Sequence, residues 1–107
     1  MAAARNGIAE VEELERVFRA LAHPSRRHVL MVLRARGNRA TAGEIARRFS
    51  CSWPTTTRHL RQLEEAGLVS VHKQGRERYY QLERERLARV VGGWLVAFQR
   101  PLARLRR

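Results

Sequence analysis

Between Thr41 and Leu68 the chain reads TAGEIARRFSCSWPTTTRHLRQLEEAGL, a short amphipathic stretch, a turn of small residues and a longer amphipathic stretch. Thr41 with Glu44 three residues on is the pattern of a capping box, in which each side chain bonds the other residue's backbone N–H at a helix start. Ile45, Ala46 and Phe49 then point inward, and Ser50-Cys51 makes the turn. Ser52 suits the N-cap of the next helix, and Pro54 is tolerated in its first turn, where no backbone donor is needed. Thr56, Leu60 and Leu63 share one side of that helix, while Thr55, Arg58, Arg61 and Gln62 fall on other faces. Gly67 ends it. Two helices at this spacing predict a helix-turn-helix over residues 41–66, a motif that delivers its second helix into the major groove of DNA.

The flanks complete the architecture. Leu68–Lys73 and Glu77–Leu82 have strand character, joined by Gln74-Gly75-Arg76, so residues 68–82 predict a basic β-hairpin, or wing. Upstream, residues 1–9 are small and polar and are expected to be flexible. Val11, Leu14, Phe18 and Leu21 recur at intervals of three and four, which predicts an amphipathic helix from Glu10 to Ala22. Pro24 opens a second helix to about Arg36, with Val29, Leu30, Val32 and Leu33 apolar, and Gly37-Asn38 stops it. A last helix over residues 83–105 carries Leu87, Val91, Trp94, Leu95, Phe98, Leu102 and Leu105. Gly92-Gly93 weakens it by roughly 1 kcal/mol per glycine, and Pro101 kinks or ends it. The expectation is one winged helix-turn-helix domain over 1–107, mainly α with a small β-hairpin wing, in the order α-α-α-α-β-β-α.

Charge points to the partner. The chain has 107 residues and a formal net charge of +12, from 22 Lys and Arg against 10 Asp and Glu. The excess is uneven: residues 23–82 hold twelve basic and four acidic groups, whereas residues 1–22 hold three and four. Lys73 is the single lysine, and Arg forks onto phosphate and guanine better than Lys does. A polyanion, most simply double-stranded DNA, is the implied partner.

Four ordered blocks, FRALAHPSRRHVLMVL, TAGEIARRF, SWPTTTRHLRQLEEAGLV and GRERYYQL, give a strong resemblance to the ArsR-like winged-helix repressors of bacteria. It spans about Val17 to Leu82, with a looser match in the flanking helices, and is nearest to members lacking metal ligands, small autorepressors among them. The resemblance implies a homodimer joined through its first and last helices that represses transcription from a palindromic operator. It places base reading on Trp53, Pro54, Thr57 and Arg58, and helix geometry adds Thr55. Trp53 could instead pack on the first helix of the motif, and His59 could meet phosphate or be buried. Phosphate contacts are expected from Ser52 and Arg61, with Arg47 and Arg48 as further candidates, and at the wing from Lys73, Arg76 and Arg78. The dimer seam is expected to use Val11, Leu14, Phe18, Trp94, Leu95, Phe98 and Leu102, whose rhythm outlasts what one small domain needs to bury.

Other chemistries find little support. Metal-sensing relatives use cysteine pairs in the third helix or Asp, His and Glu groups in the last. Here the third helix has no cysteine, the last has no histidine, and the chain has no aspartate at all. His23, His28, His59 and His72 lack zinc-ligand spacing, so neither metal nor cofactor is expected. Cys51 precedes a helix N-terminus near several arginines, a setting that can lower a thiol pKa, but the favoured reading is a plain turn residue of no special reactivity. No nucleophile elbow, phosphate-cradling loop or paired-carboxylate motif is present, so the chain is expected not to be an enzyme. No signal peptide or bilayer-length apolar run is found, which implies a cytoplasmic, nucleoid-associated protein without a membrane partner. The residues name no small-molecule effector. The rival that charge alone allows is a nonspecific nucleoid or RNA-binding basic protein.

Overall fold

A computed structural model of the chain describes residues 2–48 and 52–99, with side chains from Gly7 onward. Its elements run α1 (Ala2–Leu21), α2 (Pro24–Ala35), β1 (Arg39–Thr41), α3 (Ala42–Arg47), α4 (Trp53–Glu65), β2 (Val69–Gln74), β3 (Glu77–Leu82) and α5 (Arg84–Gln99). The architecture is the expected winged helix-turn-helix with one strand more. β1 was absent from the α-α-α-α-β-β-α order, and it pairs antiparallel with β3 to give a three-stranded sheet, β1-β3-β2. α1 also starts eight residues before Glu10, taking in the segment expected to be flexible. Alanine-rich sequence favours helix even without an apolar rhythm. α5 passes through Gly92-Gly93 without a break. Phe49, the Ser50-Cys51 turn, Pro101, Leu102 and Leu105 lie outside the described residues.

Local chemistry sets the boundaries. His23 caps α2, its Nδ1 accepting from the Ser25 N–H at 3.2 Å. At the other end the Asn38 N–H bonds the Leu33 carbonyl at 2.7 Å, closing the helix. The Asn38 carbonyl then accepts from the Leu82 N–H at 2.8 Å, which ties this turn to the end of β3.

The core forms where the helices meet the sheet. Val17 of α1, Val29 and Leu33 of α2, Ile45 of α3, Leu60 and Leu63 of α4, and Leu68 are essentially solvent-free. Full burial of such a side chain stabilises by about 1.5–3 kcal/mol. Thr56 is buried with them, as its place on the inner side of α4 predicts.

α5 returns along α1. Glu13 of α1 accepts from Arg86 at 2.7 Å and Arg89 at 3.2 Å. The Arg89 hydrogen bond, with the charge of both arginines, holds the Glu13 carboxyl below its ordinary pKa despite partial burial. Partly exposed pairs of this kind contribute little to stability. Phe18 and Trp94 meet edge to face, with ring centroids 5.0 Å apart.

Candidate nucleic-acid interface

α3 is short and needs external support to act as a platform. Its capping box is complete: Thr41 Oγ1 accepts from the Glu44 N–H at 3.1 Å, and Glu44 Oε1 accepts from the Thr41 N–H at 2.8 Å. Arg36 reaches across from the end of α2 to Glu44 at 2.7 Å. The bond from the Thr41 backbone is the chief reason that the Glu44 pKa is lowered.

α4 begins at the Ser52 cap, whose Oγ accepts from the Thr55 N–H at 3.3 Å. Burial of Thr56, Leu60 and Leu63 fixes the rotation of the helix. That leaves Ser52, Trp53, Pro54, Arg58 and Arg61 exposed and Thr55 and Thr57 half-buried. Arg47 and Arg48, at the end of α3, are exposed as well. Trp53 does pack on α3, the first helix of the motif, while staying largely open to solvent. Its side chain is 61% exposed, yet one edge of the indole lies against the backbone of Gly43 in α3. His59 turns away from solvent, its ring 4.8 Å from that of His23 at the head of α2. Its Nδ1 is buried and has no hydrogen-bond partner among the described residues. Burial above all, then the neighbouring His23, Arg26 and Arg58, pushes its pKa down.

The wing is a tight hairpin in which Gln74 pairs with Glu77 across the two-residue turn Gly75-Arg76. Gly75 has φ +63°, a conformation that glycine adopts without steric cost and that two-residue hairpins favour at this position. Strand alternation puts Lys73 and Arg78 on the same face as Val71 and Tyr80, extending the core face beyond the core. Lys73, Arg76 and Arg78 are all exposed. One groove joins Gly43, Trp53 and Thr57 to Arg76, Arg78 and Tyr80, so the head of α4 and the cationic wing line a common surface.

Two contributors escaped the sequence reading. Gly43 gives no pattern signal, because its role is to be approached. Arg39 lies in the unforeseen β1, with its guanidinium 4.0 Å from the centroid of the Tyr79 ring and bonded to Gln74 Oε1 at 3.4 Å. His72 stacks on the same tyrosine. This charge therefore braces the outer face of the hairpin.

Away from this groove's lining, α1 and α5 present apolar surface. Val11, Trp94, Leu95 and Phe98 are exposed, Phe98 by 68%, and Trp94 and Phe98 lie 4.8 Å apart. Ile8 and Val96, not foreseen, are exposed with them. Leu14 and Phe18 are half-buried, and Leu14 packs on the core of its own chain. Among the described residues no cluster of His, Cys, Asp and Glu could hold a metal ion, and no helix is long and apolar enough to cross a membrane.

Comparison with known proteins agrees with this geometry. A family model described as a helix-turn-helix domain matches residues 21–72. The chain is 39% identical over 69 residues to the transcriptional repressor SdpR of Bacillus subtilis, covering 64% of this chain and 74% of that protein. A crystal structure of an ArsR family transcriptional regulator aligns with a TM-score of 0.71 and 41% identity, over 82% of this chain and 88% of that one. The solution structure of a homodimeric winged helix-turn-helix DNA-binding domain from Mycobacterium bovis, a possible ArsR-family regulator, aligns with a TM-score of 0.68 and 27% identity, over 86% and 84%. The sequence matches, the exposed second helix of the motif and the basic hairpin beside it agree: this chain belongs to the ArsR family of winged helix-turn-helix transcriptional regulators.

Proposed function

We propose that the chain is a homodimeric, sequence-specific repressor that occupies a palindromic operator in the cytoplasm. The observation that carries this is the shared groove between the head of α4 and the wing, where Arg76 and Arg78 flank Glu77, in a chain whose α1 and α5 leave large apolar side chains bare. Arg58 donates to a guanine, and Trp53, Pro54, Thr55 and Thr57 press on neighbouring base edges. Ser52, Arg61, Lys73, Arg76 and Arg78 hold the phosphates and fix register. Val11, Phe18, Trp94, Leu95 and Phe98 join two copies, so that the two reading helices fall about 34 Å apart, one turn of duplex, or a multiple of that. The names of two similar proteins, a repressor and a homodimeric DNA-binding domain, support the reading.

The test is selection of bound fragments from the source genome, followed by gel shifts. A two-fold symmetric site should emerge, resist excess random competitor DNA and fail when its symmetry is scrambled. Equal binding to scrambled DNA or to RNA would replace this reading with that of a nonspecific basic protein.

A further inference from the structure

Gly43 is buried because Trp53 lies on it. A Cβ added to Gly43 would stand 2.7 Å from Cζ2 of the indole, closer than real Cβ contacts come, and 3.1 Å from Cη2, a tight contact. The six-membered ring of Trp53 thus rests on bare backbone of α3. That backbone is held in place by the Thr41–Glu44 capping box, by the Arg36–Glu44 ion pair and by the buried Ile45 and Ala46. The rest of the indole is open, at the first position of α4 and on the groove shared with Thr57, Arg76 and Arg78. A large aromatic group resting along one edge on backbone and bare elsewhere offers apolar surface to a partner at a defined place. On the base edges of the major groove the one apolar group is the C5 methyl of thymine.

We infer that Gly43 is a positioning residue that seats Trp53 against a thymine methyl at one position of each half-site, which makes the pair a determinant of operator choice. The inference deepens the proposed function and rests on its assignment of α4 as the reading helix. Arg58 discriminates through directed hydrogen bonds. Trp53 discriminates through shape and a methyl group, and a side chain that could rotate freely would contact neighbouring positions as well.

The experiment uses the whole chain and its selected operator, with thymines replaced by uracil one symmetric pair at a time, which removes only the methyl. At one position per half-site the wild type should bind the uracil operator about fourfold more weakly for each methyl lost, the worth of one buried methyl group. Trp53→Ala should bind the thymine and uracil forms of that position equally. Gly43→Ala, which dislodges the ring, should lose the same discrimination while keeping its circular dichroism and its response to changes at all other positions. In Trp53→Phe the smaller ring leaves room, so adding Gly43→Ala to it should change nothing further, and this pair decides the matter if Gly43→Ala alone fails to fold. A thymine-to-uracil ratio unchanged in folded Gly43→Ala, or the same in wild type and Trp53→Ala, overturns the inference. A wild type that selects no operator refutes the proposed function itself; a selected operator without a Trp53-dependent methyl effect refutes this inference alone.

Discussion

Lys73 and Arg78 face each other directly across the β2–β3 hairpin, two cations in register on adjacent strands. Like charges so placed destabilise a hairpin by roughly 0.2–1 kcal/mol, and an anion between them reverses the sign. Arg78→Gln should therefore raise the melting temperature of the free protein slightly at low salt. The same change should weaken binding to all DNA sequences alike and lower the slope of log affinity against log salt by about one for each subunit bound. Thermal melts and anisotropy titrations over a salt series give both readings. An unchanged slope would remove Arg78 from the phosphate contacts.

Arg58 lies on α4 one turn beyond Pro54 and is exposed. Arg58→Ala should cost about 1–3 kcal/mol of operator binding and relax the choice at one base position. Competition among single-base operator variants measures it. A uniform loss over all variants would reassign Arg58 to the backbone.

The apolar end divides into residues that serve the chain itself and residues left bare. Phe98 is mostly exposed, whereas Trp94 also packs edge to face on Phe18. Phe98→Glu should give single subunits in sedimentation with an unaltered monomer fold. Operator affinity should then fall by roughly 100-fold or more, because the second half-site no longer binds in concert. Trp94→Ala should lower subunit stability too. A Phe98→Glu protein that still sediments as a dimer would place the seam elsewhere.

His59 predicts a pH effect. Burial, ahead of the positive neighbours His23, Arg26 and Arg58, holds its pKa below the ordinary 6.5. The unfolded chain thus takes up a proton at higher pH than the folded one. The stability that comes from keeping His59 neutral is complete above the unfolded value and is lost as pH falls through the lower folded value. Urea melts from roughly pH 8 to pH 5 should show the midpoint declining below the unfolded pKa, and His59→Gln should flatten that decline. Parallel curves for the two proteins would place the effect on another group.

Much of this was written locally. The Thr41–Glu44 box, the Ser52 cap and the Gly75 turn each satisfy their own backbone groups within four residues, so sequence reading finds them. β1 is different: Arg39, Ala40 and Thr41 are too few to show an alternation, and their partners Gln81, Tyr80 and Tyr79 lie some forty residues away. The first turns of α1 are silent for another reason: a run of alanines has helix propensity but no apolar period. The seat of Trp53 on Gly43, the His23–His59 contact and the Arg39–Tyr79 stack are meetings of separate elements, which no spacing within one segment encodes.

Thr41 ends β1 opposite Tyr79 of β3 and, with its hydroxyl, begins α3. One residue thereby fastens the hairpin to the reading motif with no slack between them. On the proposed function, the two surfaces that meet DNA then keep a set spacing, like the jaw of a caliper. In the proposed dimer, accommodation to a longer or more sharply curved duplex would then fall to the seam between subunits.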